Sequence, residues 1–281
     1  MKSIGFVDYY ISEWHANNYP AWIKETCEKT GDEFEVKYAY AEEYVSPVTG
    51  ENTDEWCKKF GVTRCETLEE LCRLSDYIVV LAPSNPEKHL AYAEEVLKYG
   101  KNSYIDKTFA PDLATAVKIF ELGEKYGTRF FSSSALRYSK ALEGLEGSQS
   151  VTTLGGGSNF GEYAVHQAEM VIATLKERPV AVRVEAQGKQ YVSTVKLTGG
   201  KAATMVYSPS LSYAIAAEWE NGETEYRTAA PGHFQNLIAD MLRFFKTGEP
   251  SFDTKETLEV MKLREAAIKG TLALGEWIKI Q

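Results

Sequence analysis

Three groups of side chains in this sequence could do chemistry. Lys107 directly follows the run Ser103-Tyr104-Ile105-Asp106, which predicts a buried strand. Ligands of open α/β sheets bind at the carboxyl ends of the strands, and a partly desolvated lysine there can take part in proton transfer. A solvated lysine at a strand end is the plainer alternative. Glu162 and His166 stand four apart at the start of a predicted helix, 162–175, so both point to one face. An imidazole oriented by a carboxylate suits a general base; a histidine merely satisfied at a helix start is the other reading. Tyr163 adjoins this pair. Ser132-Ser133-Ser134 and Arg137 follow the predicted strand 128–131. Ser134 and Arg137 would offer a hydroxyl and a guanidinium to a polar substrate, unless the segment is simply a serine-rich turn. Gly155-Gly156-Gly157 lacks the Gly-Lys-Ser/Thr ending that a phosphate loop needs. Cys27, Cys57, Cys65 and Cys72 form no C-x-x-C pair and have no histidine at zinc spacing, so they read as reduced structural thiols and no metal is expected.

The elements that must position these residues follow two grammars. Predicted strands at 2–7, 34–39, 77–81, 103–106 and 128–131 alternate with helices at 20–28, 52–60, 67–71, 89–99 and 113–126. The uninterrupted apolar run Tyr77-Ile78-Val79-Val80-Leu81 suits a parallel strand buried on both faces. This alternation predicts a Rossmann-type, doubly wound parallel sheet over residues 1–137. After it, strands at 180–186, 190–197, 202–207, 211–219 and 224–228 follow one another through turns such as Gly199-Gly200 and Asn221-Gly222. They predict a C-terminal α/β domain, 138–281, with an open, mostly antiparallel sheet, closed by helices at 234–246 and 255–276. Phe234, Phe244, Phe245 and Trp277 are expected on those two helices.

The loop after the first strand departs from its type. A dinucleotide loop uses glycines for the tight turn, for close approach to the pyrophosphate and for helix packing. Laid onto Phe6-Val7-Asp8-Tyr9-Tyr10-Ile11-Ser12-Glu13, the fingerprint puts Asp8, Tyr10 and Glu13 in the three glycine positions. Two carboxylates would then face a bound anion and a ring would fill its space. Ser12 is expected to cap the following helix and offer a hydroxyl, with His15 adding a donor. Glu42 and Glu43 are the candidates for the ribose acid.

Several segments together resemble the Gfo/Idh/MocA oxidoreductases. Val79-Val80-Leu81-Ala82-Pro83-Ser84-Asn85-Pro86-Glu87-Lys88-His89 is similar to the family's strand, proline turn and helix-opening histidine. Gly100-Lys101-Asn102-Ser103-Tyr104-Ile105-Asp106-Lys107-Thr108 is similar to its GKHV-x-x-EKP segment, with Asp for Glu and Thr for Pro. Glu162-x-x-x-His166 is similar to its D-x-x-x-H pair, and Ala135-Leu136-Arg137-Tyr138-Ser139 and Thr247-Gly248-Glu249-Pro250 also have counterparts. The resemblance implies hydride transfer between NAD or NADP and a sugar, polyol or related hydroxylated molecule. It makes Lys107, His166 and Glu162 the catalytic candidates, with Lys107 beside the nicotinamide. Asp8, Tyr10, Ser12, Pro83, His89 and Asp106 are then the cofactor-binding candidates, and Ser134, Arg137 and Tyr163 the substrate-binding ones. It also implies a homo-oligomer, dimer or tetramer. The alternative is a non-catalytic ligand-sensing protein of the same fold that has lost dinucleotide binding.

Composition bounds the partners. Of 281 residues, 44% are hydrophobic and 25% charged, as in ordinary globular chains, and the net charge of −9 offers no basic face to a nucleic acid. No apolar run approaches the roughly 20 residues of a membrane span. Met1-Lys2-Ser3-Ile4 enters a strand at once, leaving no room for a signal peptide, so the expected location is the cytoplasm.

Overall fold

A computed structural model describes residues 1–281, which divide into two compact units: Met1–Ser133 with Leu237–Asp253, and Ser134–Asn236 with Thr254–Gln281. In the first unit the chain runs β1 (Lys2–Asp8), α1 (Trp14–Thr30), β2 (Phe34–Ala41), α2 (Thr53–Phe60), β3 (Thr63–Arg64), α3 (Leu68–Leu74), β4 (Tyr77–Val80), α4 (His89–Val96), β5 (Ser103–Ile105), α5 (Leu113–Tyr126) and β6 (Phe130–Phe131). The six strands are parallel in the order β3-β2-β1-β4-β5-β6. The order reverses between β1 and β4, which opens a crevice at their carboxyl ends. Both central strands are apolar and buried, as a sheet covered on both faces requires. Gly5 sits in β1 because a Cβ there would meet Ser75 Oγ at 2.2 Å and Leu71 Cδ2 at 2.7 Å, so only glycine lets α3 approach the strand.

The second half continues β7 (Ser150–Gly155), α6 (Phe160–Leu175), β8 (Pro179–Gln187), β9 (Gln190–Leu197), β10 (Ala202–Tyr207), β11 (Ala214–Glu218), β12 (Thr224–Thr228), α7 (His233–Thr247), α8 (Glu256–Gly270) and β13 (Trp277–Lys279). The second unit's seven strands lie in the order β12-β11-β7-β10-β9-β8-β13. Every pair is antiparallel except β10 with β7. The sheet is therefore mostly antiparallel, as expected. Its core is filled by α6 and α8, through residues such as Met170 and Leu263, against the inner strand residues, among them Val182, Val195 and Met205.

Three features differ from the sequence expectation. Leu237–Asp253, placed by sequence in the second domain, belongs to the first unit, and the division at the other end falls between Ser133 and Ser134. Aromatic packing is the cause: Phe245 stacks on Tyr77 at 4.8 Å, Phe244 meets Phe131 edge-on at 5.1 Å, and Lys246 pairs with Asp32 at 2.6 Å. The last helix stops at Gly270, and Trp277 lies in a strand, not a helix. A Cβ on Gly270 would meet Val184 Cγ2 at 2.6 Å, so the helix end seats directly on β8, beside which β13 then pairs. Finally, α1 begins at Trp14, capped by Glu13, and carries Pro20 inside it.

Candidate functional site

The first unit's crevice is built on the end of β1. Asp8 is buried, and its Oδ1 accepts the N–H groups of Tyr9 at 2.7 Å and of Ala82 at 3.1 Å. Ala82, just past β4, holds a left-handed φ of 54°, which a non-glycine residue adopts only at some cost. Glu13 caps α1. Its Oε1 accepts the N–H of Ala16 at 2.5 Å, and its Oε2 accepts the N–H of His15 at 2.8 Å and lies 3.2 Å from His15 Nδ1. His15 Nε2 in turn lies 3.7 Å from Asp106 Oδ2. Ser12 is not the cap: its hydroxyl donates to Glu51 at 2.7 Å and accepts from Thr49 at 2.9 Å. Tyr10 is half-buried beside Tyr9, their rings 5.8 Å apart.

These contacts bear directly on a dinucleotide. A pyrophosphate is received by backbone N–H groups at the end of the first strand and at the following helix N-terminus. Here the N–H groups of Tyr9, Ala82, His15 and Ala16 are all bonded to the carboxylates of Asp8 and Glu13. The loop as folded does not fit a pyrophosphate. The side chains of Asp8 and Ser12, expected to contact the cofactor, are both buried and bonded within the protein. Glu42 is also engaged, pairing with Lys88 at 2.6 Å and Tyr92 at 2.8 Å, while the Lys88 ammonium lies 4.6 Å from the Tyr9 ring centroid.

Burial raises the Asp8 carboxyl well above its ordinary range, and the charge of Glu13 adds to this against its two N–H bonds. The folded state therefore keeps this proton to higher pH than the unfolded chain does. Stability falls as pH rises from the unfolded value of about 3.9 through the folded one. Asp8→Asn keeps the acceptor for Tyr9 and Ala82 and removes the charge. It is expected to raise the melting temperature near neutral pH by about 2–4 °C and to flatten its fall above pH ~4, as checked by calorimetry across pH.

At the ends of β4 and β5, Lys107 is half-buried and donates from Nζ to the Pro83 carbonyl at 3.1 Å. Pro83 thus serves as the lysine's anchor. Asp106 is buried; its Oδ1 accepts from Tyr104 Oη at 2.9 Å, and the same hydroxyl lies 2.9 Å from the Ser133 carbonyl. His89 has no exposed surface. Its Nδ1 faces the Phe109 carbonyl at 3.0 Å and its Nε2 the Leu81 carbonyl at 2.7 Å. Burial pulls its pKa down, against the two carbonyls that would each take an N–H. His89 and Asp106, expected to contact the cofactor, are buried and brace the strand ends that carry Pro83 and Lys107.

In the second unit, α6 carries the candidate base. His166 is half-buried, its Nδ1 2.7 Å from Ser134 Oγ, and its ring lies 5.6 Å from that of Tyr163 and 5.5 Å from that of Tyr213. Ser134 Oγ also accepts the Leu136 N–H at 3.2 Å. Ser134 therefore orients the imidazole through Nδ1. Glu162 accepts from Asn159 Nδ2 at 3.1 Å and Ser158 Oγ at 3.3 Å at the helix start. The three glycines before α6 are not a phosphate loop. Tyr213 and Tyr207 donate to the carbonyls of Gly156 and Gly157, at 2.9 and 2.8 Å. Gly157, at φ 147°, lies so close to the Tyr163 ring that a Cβ would fall 2.1 Å from it.

Arg137, expected to contact substrate, stands in an ion network. Its side chain is 5% exposed, and Nε pairs with Glu169 at 2.5 Å while Nη1 pairs with Glu256 at 2.6 Å. Burial alone would lower its pKa, but the two carboxylates outweigh it, so the net shift is upward and the group stays charged. Sequence reasoning passed over Glu169, Glu256 and Tyr213. Glu169 alone gave a signal, as an acid within the apolar stretch of α6. The four cysteines are free thiols, and burial pushes Cys57 and Cys72 up to about 12.

Comparison with known proteins fixes the fold. No family model matches the chain. A protein of Escherichia coli (strain K12) described as the uncharacterized oxidoreductase YhhX is 32% identical over 83 residues, a stretch covering 27% of this chain and 24% of that protein. The chain thus matches about a quarter of the length of that curated relative. Solved structures match throughout. Myo-inositol dehydrogenase from Lactobacillus casei, in complex with NAD(H) and myo-inositol, superposes with a TM-score of 0.80 at 10% identity, covering 100% of this chain and 97% of that one. Scyllo-inositol dehydrogenase from the same organism, with NAD(H) and scyllo-inositol, gives 0.79 at 10% identity and 99% of each chain. UDP-N-acetylglucosamine 3-dehydrogenase from Acidithiobacillus ferrooxidans gives 0.76 at 14% identity and 97% of each chain. The fold is that of the Gfo/Idh/MocA dehydrogenases, as the sequence resemblance implies.

Proposed function

We propose that this chain, which carries the Gfo/Idh/MocA fold, is an oxidoreductase that moves a hydride between NAD(P) and a hydroxyl carbon of a sugar, polyol or similar small molecule. The observation that carries this reading is the Ser134–His166 hydrogen bond of 2.7 Å, which orients a half-buried imidazole through Nδ1. Lys107, anchored through Pro83 at the edge of its own sheet, supplies a second proton-handling group that would donate to the substrate oxygen. The bound dinucleotides of the inositol dehydrogenases of like fold support NAD(P) as the hydride partner.

The test is a turnover screen. The protein is incubated with NAD or NADP and a panel of inositols, sugars and sugar acids, and nicotinamide reduction is followed by absorbance. Turnover of at least one polyhydroxylated compound is the expected result. Absence of turnover throughout, together with no thermal shift from NADH or NADPH, would overturn the reading in favour of a non-catalytic ligand sensor. The filled phosphate seat is the observation on the side of that second reading.

A further inference from the structure

The cap of α1 is unusual in its chemistry. An N-cap side chain is ordinarily a short Ser, Thr, Asp or Asn whose one oxygen serves one N–H. Here a glutamate folds back on its own helix, so that its two oxygens serve the N–H groups of His15 and Ala16 and approach His15 Nδ1, and the whole group is 6% exposed. The 17-residue helix thus has a full negative charge at its positive end, supplied from within. Asp8 does the same for the N–H groups of Tyr9 and Ala82. Between them, two side chains occupy the N–H groups of Tyr9, His15 and Ala16, at the strand end and helix start where a dinucleotide of this fold seats its phosphates, together with that of Ala82 beyond β4.

We infer that Glu13 is a resident occupant of the anion seat, so that its cap on α1 and a bound pyrophosphate exclude each other and this one side chain sets the affinity for NAD(P). The inference rests on the oxidoreductase reading above. Two effects of the same sign make Glu13 the controlling residue. Its carboxylate repels an incoming phosphate at close range, and its departure strips the helix of a cap that the phosphate must then replace. Asp8 is the less movable of the two, since it is 1% exposed at the end of the central strand, whereas Glu13 lies in the loop after it.

Glu13→Ser separates these effects, because serine keeps a capping oxygen while vacating the seat. Titration of the whole protein with NADH and with NADPH, followed by nucleotide fluorescence, is expected to show binding at least about tenfold tighter in Glu13→Ser than in the unsubstituted protein. Glu13→Gln, which retains the length and loses the charge, should fall between them. Thermal unfolding establishes that each variant is folded, and Glu13→Gln decides the matter where the serine variant is not. The inference is overturned if a folded variant binds no tighter than the unsubstituted protein. When that happens while the unsubstituted protein itself binds and turns over a polyol, the oxidoreductase reading survives. When no form binds either nucleotide, both fall together.

Discussion

Replacing Arg137 with methionine is expected to cost about 3–5 kcal/mol of stability, the loss that follows when one partner of a buried ion pair is removed. The guanidinium is 5% exposed and stands between Glu169, at 3% exposed, and Glu256, at 20%. Without it, Glu256 keeps Lys176 at 3.2 Å, but Glu169 loses its cation and retains the Ser134 N–H at 3.2 Å. A carboxylate left buried with one amide donor must either find water or take up a proton, and both disrupt the packing of α6. Denaturant unfolding checks the size of the loss. The double variant Arg137→Met, Glu169→Met should recover a large part of it, because buried ion networks can be replaced by apolar residues of similar volume with little net cost. A single variant with unchanged stability and a raised KM for substrate would instead return Arg137 to the substrate-contact role that its place in the sequence suggests.

That outcome would also say something about what a sequence can reveal. Arg137 follows a predicted strand end, and position alone is the same whether a guanidinium faces a substrate or two acids. The acids that settle it lie 32 and 119 residues away. The parallel sheet was legible because its evidence is local: an apolar run at 77–81, alternation of periods, and caps such as Asn52, whose side chain accepts the Glu55 N–H at the start of the helix expected over 52–60. The cap of α1 was not legible, since capping preferences point to Ser12, and Glu13 succeeds only by folding back along its own helix. The membership of α7 was likewise hidden. Its apolar face states that it must be buried, but not against which sheet, and only the stacking of Phe245 on Tyr77 decides it. Ser134 illustrates the same limit at the site: helical spacing points only to Glu162, one turn from His166, whereas an oxygen on the ring's Nδ1 comes from Ser134, 32 residues earlier.

The Ser134–His166 contact therefore carries the second large prediction. Once a substrate is in hand, His166→Gln is expected to lower kcat for alcohol oxidation by about 10²–10⁴-fold, the range that a positioned general base supplies. Its fold should hold, since the imidazole is half-buried and glutamine is well tolerated in a helix. Lys107→Met should fall in the same range, because methionine keeps much of the stem's bulk and removes only the proton donor. Ser134→Ala tests the positioning role separately. Loss of one hydrogen bond of about 1.4 kcal/mol corresponds to roughly tenfold in rate. A weakened scaffold alone would lower the melting temperature along with the rate. Loss of the Ser134 hydrogen bond instead misorients the imidazole, so kcat should fall in Ser134→Ala while KM and the melting temperature hold. An unchanged kcat in both folded variants would remove His166 from the proton path and leave Lys107 as the sole candidate to carry it.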